Sequence, residues 1–548
     1  MELPQRDRSL APVWRRSRSE RTQGPVSVRS HKRLHTPELS IIPGANESRL
    51  THLGAERDAT QLSSGAGWTY PWGGVLDGAW MGFFERRKVG LVLTPVLFLA
   101  AWFAPFGLEP PAQRLAAVFA AVIVAWVTEV LPISVTALLI APAMIVVGVT
   151  DSRTAFAPYA DPLIFLFIGG FFIARAMMRH GLDRRIARSL MQLRLVRGSP
   201  VRIRMAFMMS AVVLSMWISN TATAAILIPI LLGTLPEDDD ASSGSVLAIA
   251  YAASVGGMGT LIGSPPNFIT VRFLQEQTDT PFDFLQWMGI GVPASLVLVV
   301  IIGFVLQWLA PPPSVETNVT LVASPWSRGE RVTAFCFGLA VVGWTVPGIM
   351  RAVGAPHAEE IARALPIGAV AILAAAPLFL ILDENRKAPV LPWHDAMKID
   401  WGLILLFGGG LSLGAQMFQT GLAAAISQWF LGVTGITSLW GLTAALIVFT
   451  VFFTEACSNT ASSNMIVPLA IAAAVELDVS PLPPALAVGL AASCAFMLPI
   501  ATGPNAVAYG TGLLELPQMM RIGFVLNIVA ALTLLAVLYG LSIFYGWT

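Results

Sequence analysis

Apolar stretches of roughly twenty residues follow one another along most of this chain, and they constrain its fold more than any other feature. A helix needs about 20 mostly apolar residues to cross a bilayer, and such stretches recur between residues 88 and 545. Only 12% of the 548 residues are charged, against about 25% in soluble globular proteins. We therefore predict an all-α polytopic membrane protein and exclude a soluble enzyme with an ordinary surface.

The apolar pattern predicts eleven membrane-crossing helices and two re-entrant hairpins. The crossings cover approximately residues 88–106, 113–130, 132–150, 160–180, 244–275, 286–310, 331–349, 362–383, 400–420, 484–513 and 520–545. Two further apolar segments, 203–232 and 439–472, are each interrupted midway by a polar cluster. Each of these is predicted to form two half-helices that meet at a turn. The stretch 421–438 has no Lys or Arg and is expected to lie outside, and the basic stretch 182–204 is expected to be an interfacial helix.

Charge sets the predicted orientation. Residues 1–85 are rich in Arg, Ser and Pro and contain no spanning stretch, so we expect a disordered cytosolic tail. By the positive-inside rule the N-terminus is then cytoplasmic and the C-terminus lies outside. We expect a first repeat over 86–312, which contains the inner hairpin (203–232). A second repeat over 313–548 contains the outer hairpin (439–472). The expected location is the cell membrane, which is the inner membrane in a Gram-negative cell.

The two halves of the chain repeat each other. Asp161 begins a sequence resembling the one that begins at Asp400, an offset of 400 − 161 = 239. Ser219-Asn220-Thr221 recurs as Ser458-Asn459-Thr460, and 458 − 219 is again 239. Gly263-Ser-Pro-Pro-Asn267 is echoed by Ala501-Thr-Gly-Pro-Asn505 at 505 − 267 = 238. Five predicted crossings separate Asp161 from Asp400, and an odd number predicts two repeats of inverted topology, a common plan of secondary transporters.

Polar residues interrupt the apolar chain at four places, two in each half. We call Ser219–Thr221 tip one, Ser458–Thr460 tip two, Gly263–Asn267 break one and Ala501–Asn505 break two. Ser, Asn and Thr favour helix N-termini, where free amide groups attract anions. The prolines free backbone carbonyls, and unwound backbone is tolerated at this depth only inside protein or along a cavity. A single polar cluster is also typical of helix–helix hydrogen bonding, but its symmetric recurrence favours a binding site.

No Lys or Arg lies within the tips or breaks. A dianion brought there would lose its hydration without a compensating positive charge. Bound cations would supply that charge, so the pattern favours cation-coupled anion uptake with Na⁺ sites beside the anion site. Two intramembrane acids are given other roles: Glu129 is interpreted as a structural cap or a proton site, and Glu455 as a support for tip two.

These motifs, together with the segment from Trp126 through Glu129 and Pro132, resemble the divalent anion/sodium symporter family over about residues 88–546. The resemblance implies eleven helices and two hairpins in a homodimer, with a scaffold domain and a transport domain that moves as an elevator. It implies a Na⁺ site at Ser215, Ser219, Asn220 and Gly263, and a second at Thr454, Cys457, Asn459, Ala501 and Gly503. It implies substrate binding by Asn220, Thr221, Ser264, Pro265, Asn459, Thr460, Thr502 and Pro504. Gly503 and Cys457 depart from the usual family pattern.

The resulting hypothesis is a membrane transporter, not an enzyme, that carries C4-dicarboxylates such as succinate, malate and fumarate by Na⁺ symport. A dicarboxylate exchanger, or a sulfate or citrate transporter on the same scaffold, is the alternative. The expected partners are a small dianion, the lipid bilayer and a second copy of the chain, without nucleic acid.

Overall fold

The computed structural model describes residues 76–191, 199–233, 242–278, 282–312 and 325–547. In these ranges the regular secondary structure is helical, and Leu382 and Pro389 form an isolated β-bridge. The all-α prediction is confirmed. The predicted tail lies outside the described residues up to 75, whereas residues 76–85 already belong to the first helix. The tail boundary expected at residue 85 is therefore too late, because the helix continues before its apolar part through the charged residues Glu85–Lys88.

The first half contains eleven described α-helices. They are α1 (Leu76–Phe103), α2 (Pro110–Thr128), α3 (Ile133–Val146), α4 (Ser152–Phe156), α5 (Ile164–His180), α6 (Leu182–Met191), α7 (Pro200–Ser215), α8 (Asn220–Leu232), α9 (Ser242–Gly256), α10 (Pro265–Thr278) and α11 (Phe284–Leu309). Short 3₁₀ turns follow α4 at Ala157–Ala160 and α9 at Gly257–Gly259.

The second half contains twelve described α-helices. They are α12 (Arg328–Ala352), α13 (Ala358–Ala364), α14 (Ile367–Ala375), α15 (Pro377–Leu380), α16 (Trp393–Ala396), α17 (Trp401–Gln419), α18 (Leu422–Thr434), α19 (Leu439–Ala456), α20 (Asn459–Glu476), α21 (Leu482–Ala491), α22 (Gly503–Tyr509) and α23 (Leu516–Tyr545).

By length and composition, seven of the described helices can cross a membrane, and a pair bent by 57°, α13 with α14–α15, makes up to eight. The seven are α2, the run from α4 to α5, α11, α12, α17, α19 and α23. Helices α3, α8, α18 and α21 are apolar but shorter. The predicted crossings 244–275 and 484–513 are each divided in two, at residues 257–264 and 492–502, which lead into break one and break two. These interruptions explain why those two crossings do not pass the length criterion, and α3 fails it because it has only 14 residues.

One helix was not predicted, and one local prediction is wrong. Helix α18 occupies most of residues 421–438, for which only a location outside the membrane was predicted. The absence of Lys and Arg there indicated an outer segment but carried no information about its secondary structure. The basic stretch 182–204 is not one helix: α6 ends at Met191, α7 begins at Pro200, and residues 192–198 lie outside the described part of the chain.

The repeat is visible in the way the helices pack. Helix α7 packs on α9 and α9 on α11 in the first half, and α19 packs on α21 and α21 on α23 in the second. Across the halves the packing is crosswise: α10, which follows break one, lies on α20, and α22, which follows break two, lies on α8. This arrangement brings all four polar interruptions to the centre of the molecule.

Candidate functional site

The two tips are turns between consecutive helices, as the polar clusters predict. Of these helices, α19 was predicted to be a half-helix, but by length and composition it could cross a membrane alone. Helix α7 ends at Ser215 and α8 begins at Asn220, while α19 ends at Ala456 and α20 begins at Asn459. In tip two the Ser458 hydroxyl accepts a hydrogen bond from the Ala461 N–H at 3.2 Å, as an N-cap residue does. Ser219, the first-half counterpart, makes no side-chain capping bond. Both tips direct the first turn of a helix, with its free N–H groups, toward the centre.

An asparagine holds each break in place. The Asn267 amide group donates to the carbonyl oxygens of Gly257 at 2.8 Å and Thr260 at 2.7 Å. In the second half the Asn505 amide group donates to the carbonyls of Ala495 at 2.9 Å and Leu498 at 3.1 Å. These bonds hold the unwound backbone in place, and the Thr260 and Leu498 carbonyls also accept from the N–H groups of Gly263 and Ala501. Both asparagines belong to the quoted motifs, but we assigned them no role from the sequence.

Each half also gathers oxygen atoms beside its tip. The Ser215 hydroxyl lies 2.6 Å from Asn220 Oδ1 and 2.6 Å from the Ala253 carbonyl oxygen. In the second half the Thr454 hydroxyl lies 3.0 Å from both Asn459 Oδ1 and the Ala492 carbonyl oxygen. A hydroxyl has one hydrogen to donate, so neither cluster can pair all its oxygens internally. Such a surplus of oxygen ligands is what a hard cation requires.

Gly263 sits in a cradle of carbonyls in the first half. A Cβ added to it would lie 2.6 Å from the Gly257 oxygen, 3.0 Å from the Ser215 oxygen and 3.1 Å from the Met216 oxygen. The space beside Gly263 is therefore walled by backbone oxygens, close to the cluster around Asn220. This geometry fits the predicted first Na⁺ site, since unwound carbonyls commonly coordinate Na⁺ in transporters.

One cavity of about 370 Å³ joins the tips and breaks. All eight predicted substrate-binding residues line it: Asn220, Thr221, Ser264, Pro265, Asn459, Thr460, Thr502 and Pro504. Of the predicted cation ligands, Ser219, Gly263, Ala501 and Gly503 also line it. Ser215 and Thr454 are fully buried behind the tips. Cys457 instead borders a second cavity of about 30 Å³, with Glu129 and Ala501.

Glu455 ties tip two to the unwound segment before break two. Its Oε1 atom accepts from the N–H groups of Phe496 at 2.6 Å and Met497 at 2.8 Å, and Oε2 accepts from Leu498 N–H at 3.1 Å. The Asn527 amide donates to Oε1 at 2.8 Å. The interpretation of Glu455 as a support for the loop agrees with these four bonds. The first half has no equivalent, because Met216 stands at the corresponding position.

The conclusion that no cationic side chain lies near the site is wrong. Arg175 from α5 and Lys398 from the segment before α17 line the cavity, together with Asp400. The four interruptions themselves contain no Lys or Arg, as the sequence shows, but their walls come from distant parts of the chain. An arginine within a predicted membrane crossing was the signal that could have revealed this, since ionisable residues at that depth are usually functional.

An all-helical membrane fold with paired helix breaks around a central cavity is typical of polytopic membrane transporters. A sequence model of the citrate transporter family (CitMHS) matches residues 123–489. The sodium-dependent dicarboxylate transporter SdcS of Staphylococcus saprophyticus is 33% identical over 496 residues, 83% of this chain and 93% of that protein. The SdcS protein of Staphylococcus aureus is 31% identical over 483 residues, 83% of this chain and 91% of that protein.

The chain belongs to the citrate transporter family of membrane transporters, and it is not an enzyme. The resemblance to the divalent anion/sodium symporters is thereby confirmed. A solved structure, that of the Alcanivorax borkumensis YdaH transporter, superposes with a TM-score of 0.54 at 13% identity, covering 80% of this chain and 99% of that one. At this identity the likeness concerns the fold alone.

Gly503 allows the two halves to meet, and its replacement tests that contact. A Cβ at position 503 would overlap the Thr221 side chain, so Gly503→Ala must displace Thr221 from the cavity wall. We expect this overpacking to cost about 1–3 kcal/mol and substrate uptake to fall about tenfold or more. Gly540→Ala, where a Cβ meets open space, is the matched control. Equal uptake by both variants would show that the Thr221 contact is dispensable.

The Glu455 contacts predict a large effect on stability. Glu455→Ala leaves three backbone N–H groups and the Asn527 amide without their acceptor, each at a cost of about 1–3 kcal/mol. We expect the thermal unfolding midpoint in detergent to drop by several degrees. Glu476→Ala, which removes the same charge from an exposed position, is expected to leave the midpoint within about 1 °C because exposed charges contribute little.

Proposed function

We propose that the chain catalyses Na⁺-coupled symport of C4-dicarboxylates such as succinate, malate and fumarate. The observation that carries this proposal is the duplication of one arrangement around a single cavity. In both halves a hydroxyl faces two acceptor oxygens but has only one hydrogen to donate, and this oxygen cluster lies directly behind a helix N-terminus. Two similar helix ends suit the two carboxylates of a dianion, and two oxygen clusters suit two cations.

Charge balance explains why cations and dianion would move together. Asn220, Thr221, Asn459 and Thr460 present uncharged donors to the cavity, which offset only part of the cost of removing a dianion from water. Na⁺ held by Ser215, Ser219, Asn220 and Gly263, and by Thr454, Cys457, Asn459, Ala501 and Gly503, would supply positive charge close by. The sodium-dependent relatives are named for dicarboxylate transport, which supports this choice of substrate class.

We infer an elevator mechanism for the movement across the membrane. The crosswise packing of α8 on α22 and of α10 on α20 joins both tips and both breaks into one unit. Such a unit can carry the bound dianion and cations while the remaining helices stay fixed. The proposal includes inverted repeats, a homodimer, a cytoplasmic N-terminus and an external C-terminus in the cell membrane, as the sequence predicts.

Reconstituted protein tests the coupling. In proteoliposomes, labelled succinate should accumulate with an inward Na⁺ gradient and not with K⁺ or choline in its place. Equal uptake under all three conditions would refute symport, and uptake only into succinate-preloaded vesicles would establish the exchanger. Competition by citrate and by sulfate tests the remaining alternatives, and citrate is included because the matching family is described as a citrate transporter.

Substitutions at the tips test the site. Asn220→Ala and Asn459→Ala each remove the amide that faces both the cavity and the oxygen cluster, so uptake should fall by about tenfold to more than a hundredfold, toward background. Asn385→Ala, at an exposed position, should transport like the wild type. Full activity in either tip variant, with the control unchanged, would remove that tip from the mechanism.

A further inference from the structure

One face of α5 forms a wall of the cavity, and Arg175 is the charged residue on it. The face presents Phe167, Gly170, Phe171, Ala174, Arg175 and Met178 at helical spacing. A Cβ at Gly170 would lie 3.7 Å from Ile262, next to break one. Five residues further along the helix, about 7.5 Å along its axis, Arg175 borders the same space. Arg175 thus lines the cavity from outside the tips and the breaks.

A single buried carboxylate, Asp395, faces several cations at this wall. Lys398 Nζ donates to Asp395 Oδ1 at 2.8 Å, and Arg179 donates to Oδ2. His394 Nε2 lies 3.5 Å from Oδ2. Arg175 Nη2 remains 3.9 Å from Oδ1, too far for a hydrogen bond. Each carboxylate oxygen already accepts from another cation, and Asp395 attracts the Arg175 guanidinium without a hydrogen bond to it.

Arg175 is also incompletely hydrogen-bonded elsewhere. Its Nε–H is buried and has no partner among the residues that the structure describes, while 33% of the side chain is exposed. The other charged residues around the cavity are engaged: Lys398 by Asp395, and Asp400 by the Leu403 N–H at 3.0 Å. A guanidinium presents a planar fork that matches a carboxylate. The donors left free on Arg175 therefore favour an anionic guest.

We propose that Arg175 forms an additional carboxylate-binding site on the cavity wall, separate from the two tips. This inference rests on the proposed function and concerns how the dianion reaches and leaves the tips. Arg175, Arg179 and Lys398 face the one carboxylate of Asp395, and Asp400 adds a second negative charge. The wall is left with an excess of one positive charge, which raises the local concentration of a dianion. Arg175 holds one substrate carboxylate there before the dianion reaches the tips.

Arg179 provides a matched control on the same helix. It lies four residues further along α5, is bonded to the same Asp395 and has a side chain 34% exposed, nearly the same as Arg175. It does not line the cavity. Arg175→Gln and Arg179→Gln therefore remove the same charge from the same ionic cluster, but only the first removes a donor from the cavity.

The experiment measures Na⁺-driven succinate uptake by the full chain in proteoliposomes at varied succinate and Na⁺. We expect Arg175→Gln to raise the succinate KM about three- to tenfold, with the half-saturating Na⁺ concentration unchanged. Arg179→Gln should keep the succinate KM within about twofold of the wild type. The stabilisation of the purified protein by succinate in thermal unfolding should weaken in Arg175→Gln alone. This second measurement reports binding without transport.

Three results would overturn the proposed binding site at Arg175. They are an unchanged KM in Arg175→Gln, an equal rise in both variants, and a rise caused entirely by a changed Na⁺ dependence. If Arg175→Gln does not fold, Arg175→Lys keeps the charge but loses Nε and the fork, and its KM should still rise about twofold or more, with Arg179→Lys unchanged. A wild-type protein that takes up no succinate with Na⁺ would instead refute the proposed function itself.

Discussion

Backbone polar groups that are freed within a membrane must find partners inside the protein, and the centre of this molecule is organised by that requirement. Break one and break two open the helical hydrogen-bonding pattern at a depth where water is scarce. Asn267 and Asn505 satisfy the carbonyls on one side of each break. Glu455 satisfies three N–H groups in the second half. The unwound segments are thereby held in fixed positions, and their remaining oxygens and amides become available to ligands.

The two halves of the chain match closely in their hydrogen bonds but differ at some residues. Ser215 and Thr454 occupy equivalent positions and contact equivalent oxygens. Glu455, in contrast, corresponds to Met216, so a buried carboxylate supports only the second tip. Gly503 differs from Pro265 in the first break, and its lack of a side chain makes room for Thr221. Two oxygen clusters of the same design can therefore differ in flexibility and in nearby charge, which gives the two proposed cation sites different properties.

The charged wall changes how the cavity treats an anion. Arg175 places positive charge beside the tips but not within them, on a helix face that also carries aromatic side chains. Asp395 is shared by several cations and offsets only part of their charge. Under the proposal, the wall recruits the dianion and the tips bind it, so the two steps use different parts of the same cavity.

The sequence by itself determined the fold class, the tips, the breaks and the residues of the tips and breaks that line the cavity. Its apolar stretches have the length a bilayer demands, and its polar clusters recur at offsets of 239 and 238. The tertiary structure alone decided the partners of those residues and the composition of the wall. Helix α18 was missed because a stretch without Lys or Arg indicates a side of the membrane and not a conformation. Arg175 and Lys398 were missed at the site because they lie 45 (220 − 175) and 60 (458 − 398) residues before the tips in the chain, although both line the same cavity. Their place in that cavity depends on how the helices pack, and the position of Arg175 inside a predicted crossing does not by itself tell which residues surround it.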